Sequence, residues 1–249
     1  MKLCHNKNMP NLHSFDTTDQ LASEVARMTI DTLMEILRSR GAAIWILAGG
    51  TSPLAAYRYI AEHYSAALDW SKVTIILGDE RMVAPDRPDS NWRQIREALF
   101  VNNAFNQAHQ ILPDTSMPAD MTARVYEEKV REELHRIGPK ATIAWLGMGE
   151  DGHTLSLFPD HQDSRPTESL VVPVYNSPKP PSERISLTAN ALTGVRVAFV
   201  FATGQAKQHA LQRALREGDL PIAQVAHHVK SNGGMAHWFV DRDAYPSAM

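Results

Sequence analysis

At 249 residues, the chain suits one large α/β domain or two small ones. Hydrophobic residues make up 43% and charged residues 21%, ordinary globular usage that excludes a disordered or fibrous protein. The formal net charge of −3 supplies no general field for nucleic acid, so any bound anion needs a local site.

Residues 1–13 are polar and lack the apolar core of a signal peptide, and positions 1–12 are expected to form a flexible segment. The only cysteine is Cys4, which rules out a disulfide within the chain and fits a reducing compartment. Thr17 or Thr18 can cap a helix to about Arg40, with Leu21, Val25, Met28, Leu33, Ile36 and Leu37 on one face and Gly41 as its stop. Residues 43–48 are continuously apolar, as a strand buried on both faces should be. Gly49-Gly50-Thr51-Ser52-Pro53 follows, with Thr51 or Ser52 capping the next helix and Pro53 in its first turn. Leu54, Tyr57, Ala61 and Tyr64 mark the buried face of that helix.

The pattern recurs. Residues 73–77 read as a strand, 78–89 as a long loop, and Ser90 to about Phe100 as a helix. A further helix runs from about Pro118 to Arg136, and 142–146 is a third buried strand. Residues 170–175 and 184–187 read as strands, 195–202 as another buried strand, 204–216 as a helix and 221–229 as a short one. A turn at 231–234 leads to a last strand over 236–241. This alternation predicts an α/β fold, a Rossmann-like, mostly parallel sheet with helices on both faces. The proline-rich stretch at 177–181 is read as a loop inside one domain spanning 1–249. No apolar run is long enough to span a bilayer, so a cytoplasmic protein with no membrane partner is expected.

In open parallel sheets, ligands gather at the carboxyl ends of the strands. Four loops just after strands carry unusual polar residues. In the first, Gly49 and Gly50 let the backbone approach an anion, and Thr51 and Ser52 add hydroxyl donors at a helix start. The competing explanation is a routine capped turn, and alone the two weigh evenly. The second, Gly78-Asp79-Glu80-Arg81, can hold a metal, abstract a proton or orient a sugar; in isolation a salt-bridged loop explains it better.

The third loop, Gly147-Met148-Gly149-Glu150-Asp151-Gly152-His153, formally matches the G-x-G-x-x-G pattern of dinucleotide sites. That fingerprint should open a long helix, whereas here His153 follows at once and Pro159 curtails the segment. No acid ends a strand about 20 residues on, as ribose binding expects. The better account is a glycine-shaped turn exposing one imidazole, a group that can take and return a proton near neutral pH. Asp151 is placed to orient or tune it. In the fourth loop, Gly204-Gln205-Ala206-Lys207 pairs a helix start with a cation, and upstream Arg184 offers a planar donor fork for phosphate. His227, His228 and His237 lack the spacing of a metal set, so no metal is expected.

Together these residues resemble the 6-phosphogluconolactonase family. Residues 147–159 are similar to its G-x-G-x-D-G-H-T-x-S-L-F-P signature, a long and specific one. Asp79-Glu80-Arg81 with Ser90-Asn91, the Gly49–Pro53 stretch, 181–188 and 204–207 resemble its other blocks, in family order across roughly 43–241. Leu155 stands where the family usually has alanine, Asp160 where glycine is usual, and Ala48 where serine is frequent. Leu155 is expected to narrow the pocket and Asp160 to bring a negative charge near an anion site.

The resemblance implies metal-free, cofactor-free hydrolysis of 6-phosphoglucono-1,5-lactone in the oxidative pentose phosphate pathway. His153 would be the base with Asp151 behind it, and Arg81 would support the site or the developing charge. Gly50, Thr51, Arg184 and Lys207 would hold the phosphate, with Gly49, Ser52, Asp79 and Asn91 completing the substrate contacts. A monomer or weak homodimer is expected, with no nucleic-acid partner. The nearest rival is a glucosamine-6-phosphate deaminase, which shares the Asp-Gly-His core. That family continues with Asn-Glu-Pro where this chain has Ser156-Leu157-Phe158-Pro159, and usually has tyrosine at the place of Arg81. A non-catalytic sugar-phosphate sensor is the other rival; it would need the anion cradle but not the Asp151–His153 pair.

Overall fold

The computed structural model describes residues 11–101 and 103–245. Cys4 and the expected flexible segment through position 10 lie outside the described residues. Positions 11 and 12, expected to belong to that segment, instead open a strand, β1 (Asn11–Phe15). Next comes α1 (Thr18–Arg40), capped by the Thr17 side chain, which accepts from the Gln20 backbone N–H, and stopped by Gly41 in the left-handed region at φ 80°.

The core of the fold follows in four steps. β2 (Ala43–Leu47) leads to α2 (Leu54–His63), and β3 (Val73–Leu77) to β4 (Asp79–Arg81) and α3 (Asn91–Leu99). β5 (His109–Ile111) precedes α4 (Ala119–Ile137) and β6 (Thr142–Gly147). β7 (Val171–Val174) and β8 (Arg184–Leu187) come before β9 (Val197–Ala202), α5 (Gln208–Arg216), α6 (Pro221–Ser231) and β10 (Met235–Asp241).

Seven of these strands form one parallel sheet in the order β1-β10-β9-β6-β2-β3-β5. β4, β8 and β7 form a separate antiparallel sheet. Side chains alternate across the main sheet, so Trp45, Ile75, Trp145, Phe199 and Phe201 pack into the layer under α1, α2 and α3. Ile46, Ile76, Leu146 and Val200 face the opposite layer with α4, α5 and α6. The first layer is aromatic: Trp145 stacks on Tyr57 at 4.6 Å and meets Trp45 edge-on at 5.0 Å. Such ring pairs add roughly 0.5–1.5 kcal/mol each beyond the area they bury.

The topology places the site. From β2 the chain builds outward through β3 and β5, then returns to lay β6 on the other side of β2 and builds through β9 and β10. The connections therefore diverge between β2 and β6, the crevice where open α/β sheets take their ligands. The four polar loops follow β2, β3, β6 and β9, which are consecutive in the sheet. Two local expectations change. No side chain of Thr51 or Ser52 caps α2; Pro53 is the N-cap residue, without a side-chain bond. The segment 78–89, read as one loop, contains β4, held by antiparallel pairing to β8.

Candidate active site

The crevice opens into a cavity of about 260 Å³. Gly49, Gly50, Thr51 and Ser52 line it from the β2 loop, and Asp79, Arg81 and Asn91 from the β3 side. His153, Arg184 and Lys207 complete it, so ten of the eleven expected site residues meet in one space. Asp151 is the eleventh and sits behind His153. Larger hollows of about 830 Å³ beside β1 and 460 Å³ beside Trp92 do not lie in the crevice between β2 and β6, although His13, Asp16, Glu24 and Arg242 line the first.

The loop after β6 is a tight turn closed by two backbone bonds, Gly149 N–H to the His153 carbonyl (2.8 Å) and Gly152 N–H to the Gly149 carbonyl (3.0 Å). The His153 ring lies over Gly149 so closely that a Cβ there would fall 2.0 Å from Nδ1. Only glycine fits. His153 Nδ1 is 2.5 Å from Asp151 Oδ1. A carboxylate only accepts, so in the neutral ring Nδ1 carries the proton and Nε2 keeps its lone pair. Phe158 supports the ring at 4.5 Å between centroids. Burial by itself would raise the Asp151 carboxyl; the His153 hydrogen bond and the His153 and Lys179 charges override it and hold the group well below the usual carboxylate range.

The β3 side is organised by Glu80, a residue the sequence left without a role. Its carboxylate accepts from the backbone N–H groups of Arg81, Asn91 and Trp92 and from the Ser90 hydroxyl, at 2.7–2.9 Å. It thus binds the amino end of α3 as an anion would. Burial pushes the Glu80 carboxyl up, and those four donors oppose the rise. The Asn91 side chain is held through its amide nitrogen alone, and its buried Oδ1 has no partner among the described residues. Its Nδ2 donates to the Asp79 carbonyl, and its Oδ1 lies where a Cβ on Gly49 would be, 2.0 Å away. Asp79 Oδ2 accepts from the Ser156 hydroxyl at 2.7 Å.

Arg81 donates through Nη1 to the Asp89 carbonyl, while its buried Nε has no partner. It faces Arg184 directly across the β4–β8 pair. Burial pushes Arg184 below its ordinary value, with Asp79 opposing and Arg81 adding to the fall. Arg184 lines the cavity but is also engaged within the protein. Arg184 is 3% exposed, and its donors serve the Lys179, Pro180 and Pro181 carbonyls and the Ser156 hydroxyl, leaving no two-pronged fork for phosphate. Lys207 sits in a short turn ahead of α5, later than the expected helix start at 204. Burial lowers it, and Glu150 opposes. Ser52 bonds Thr203 at 2.7 Å and ties the β2 loop to the β9 loop. Among the described residues, no three His, Cys, Asp or Glu side chains gather as a metal set would.

The family described as glucosamine-6-phosphate isomerases/6-phosphogluconolactonase matches residues 16–238. The chain belongs to this family. A 6-phosphogluconolactonase of Mycobacterium tuberculosis is 30% identical over 94% of this chain and 96% of its own length. A bovine one is 30% identical over 92% and 90%. The solved structure of a 6-phosphogluconolactonase from Shewanella baltica superposes with a TM-score of 0.81 at 27% identity, covering 93% of this chain and 97% of that one.

The departures from the family signature now have places. Leu155 lines the cavity at φ 54°, with Cδ2 2.7 Å from where a Cβ on Gly78 would be. Asp160 also adopts the left-handed region, at φ 58°, which explains why glycine suits that position. Aspartate tolerates it better than most residues. Asp160 is exposed and does not line the cavity.

Proposed function

We propose that the protein hydrolyses 6-phospho-D-glucono-1,5-lactone to 6-phosphogluconate, as in the oxidative pentose phosphate pathway, with His153 as its general base. The observation that carries this reading is the Asp151–His153 pair, which in the neutral ring turns Nε2 into the free acceptor, beside a cavity shared with Lys207 and the Gly49–Ser52 backbone. The names of the relatives in the family support the substrate.

His153 Nε2 takes a proton from water as the water oxygen bonds to the lactone carbonyl carbon. The carbonyl becomes an oxyanion, and Arg81 supplies the facing positive charge. The oxyanion then collapses, the bond from that carbon to the ring oxygen breaks, and the imidazolium returns its proton to the departing oxygen. A lactone is an activated ester, so a base, charge stabilisation and positioning suffice. The scheme uses no metal and no cofactor.

Lys207, with Gly50 and Thr51, holds the phosphate, and Arg184 has one remaining Nη1 hydrogen to offer. Asp79 keeps Oδ1 for the sugar hydroxyls. No described helix is long and apolar enough to cross a membrane. We read the protein as a cytoplasmic enzyme, a monomer or weak homodimer.

The family description also names amino-sugar phosphate isomerases, and one experiment separates the two activities. Freshly made 6-phosphogluconolactone and glucosamine 6-phosphate are offered in parallel, with the spontaneous lactone rate subtracted. Accelerated lactone hydrolysis without ammonia release is the expected outcome. Ammonia release without lactone acceleration overturns the reading.

A further inference from the structure

The segment Ser177-Pro178-Lys179-Pro180-Pro181-Ser182 contains three prolines and so has few backbone N–H groups with which to hold itself. Its shape is held by two bonds from Ser177 and by one arginine outside the segment. Ser177 N–H bonds the Ser182 carbonyl at 2.9 Å, and the Ser177 hydroxyl bonds the Lys179 carbonyl at 2.9 Å. Three successive carbonyls then converge on one guanidinium. Arg184 Nη2 donates to Lys179 (2.8 Å) and Pro180 (3.1 Å), and Nε to Pro181 (3.1 Å). The same guanidinium lies 5.3 Å from the centre of the Phe158 ring, which also supports His153.

The consequence reaches the base. With its backbone pinned, Lys179 places Nζ 3.5 Å from Asp151 Oδ1. That oxygen is the one that faces His153 Nδ1 at 2.5 Å and accepts from the His153 backbone N–H at 3.3 Å. Three donors therefore load a single carboxylate oxygen and fix the rotation of the carboxylate against the ring. As a stability device, such a half-exposed ion pair contributes little. As a positioning device it matters, because small displacements of a reacting group are costly to rate.

We propose that Lys179 is a positioning residue for His153, acting through Asp151, and that Arg184 serves the reaction by holding residues 179–181 in place rather than as a bidentate phosphate clamp. The proposal rests on the lactonase reading above for its kinetic test, and it has a second test that needs no turnover.

Lys179→Met, Lys179→Arg and Arg184→Lys are made in the full chain, and hydrolysis of 6-phosphogluconolactone and of glucono-1,5-lactone is measured. Lys179→Met should lower kcat about tenfold on both lactones while each KM stays within about threefold, the signature of lost orientation rather than lost binding. Lys179→Arg should recover most of that loss. Arg184→Lys should reproduce the kcat loss on both substrates. A KM rise confined to the phosphorylated lactone in Lys179→Met would make Lys179 a phosphate contact and overturn the proposal, as would an unchanged kcat on both substrates in Arg184→Lys. An unchanged kcat in Lys179→Met overturns it as well.

Independently of activity, the His153 Nδ1 proton is followed by NMR and identified by its absence in His153→Ala. Lys179→Met should accelerate its exchange with solvent at least several-fold, and Lys179→Arg should not. Equal exchange in wild type and Lys179→Met overturns the proposal even if the protein proves idle on lactones; idleness of the wild type overturns only the function.

Discussion

Two glycine-bearing loops flank the crevice, one after β6 and one after β2, and Gly149 in the first and Gly50 in the second serve in opposite ways. After β6, a Cβ on Gly149 would strike His153 Nδ1 at 2.0 Å and Asp151 Oδ1 at 2.4 Å. After β2, a Cβ on Gly50 would meet nothing within 4 Å, although the residue sits at φ 82°. At Gly149 the first loop is packed full by Asp151 and His153. At Gly50 the second leaves its backbone open to the cavity that Lys207 also lines, while Gly49 packs tightly against Asn91. A reaction centre gains from geometry fixed in advance, whereas an anion cradle gains from space and exposed N–H groups.

Disrupting the packed loop should cost most. His153→Ala removes the proton carrier and should lower kcat about 10²–10⁴-fold with the fold intact. The check is steady-state hydrolysis corrected for the spontaneous rate, alongside a thermal melt; wild-type turnover would remove His153 from the mechanism. Gly149→Ala keeps every reactive group but forces the ring aside, and kcat should fall on the order of 100-fold. Its KM should hardly move, and a variant with normal kcat would show that the loop is not preorganised.

The open loop should respond in binding rather than rate. Lys207→Ala should raise KM for the phosphorylated lactone about tenfold or more, since a charge-assisted hydrogen bond contributes roughly 1.5–3 kcal/mol. Glucono-1,5-lactone is the control: an equal KM change on both substrates would deny Lys207 the phosphate.

The smallest effect is on stability. Asp151 is held below its ordinary value of 3.8, so its charge stabilises the folded state fully above that pH and ceases to do so as pH falls through the lower folded value. With the side chain 33% exposed, screening leaves about 1 kcal/mol. Asp151→Asn should therefore unfold in urea more easily than wild type at pH 7, and the gap should narrow at pH 3. A gap of equal size at both pH values would remove the charge from the account.

Much of this was legible in the sequence because the signals were long. The buried strands β2, β6 and β9 are almost wholly apolar runs, and the helices that cover them carry wide apolar faces. The strands that escaped are short or polar. β4 is Asp79-Glu80-Arg81, whose acids suggest a loop, and β5 is only His109-Gln110-Ile111. Both exist because neighbours pair with them, at β8 and β3. The candidate site residues were legible because most of them fall in loops just after strands of the main sheet. Their division of labour was not, because it depends on contacts between segments distant in sequence. Glu80 reaches the start of α3 ten residues on, and Ser156 reaches Asp79 across 77 positions. Arg184 is turned inward by carbonyls that no spacing rule reveals.

The pairing of β1 with β10 carries a further implication for how the molecule is made. His13 and His237 touch across that pair, 224 positions apart. At translation speeds of roughly 5–20 residues per second, an emerged β1 waits about 10–45 s before its partner strand exists. Distant parallel pairing of this kind is intrinsically slow to form. During that interval the strand has no sheet to join, and the central strands must condense without it. The earliest described strand to leave the ribosome is thus among the last pieces to be secured.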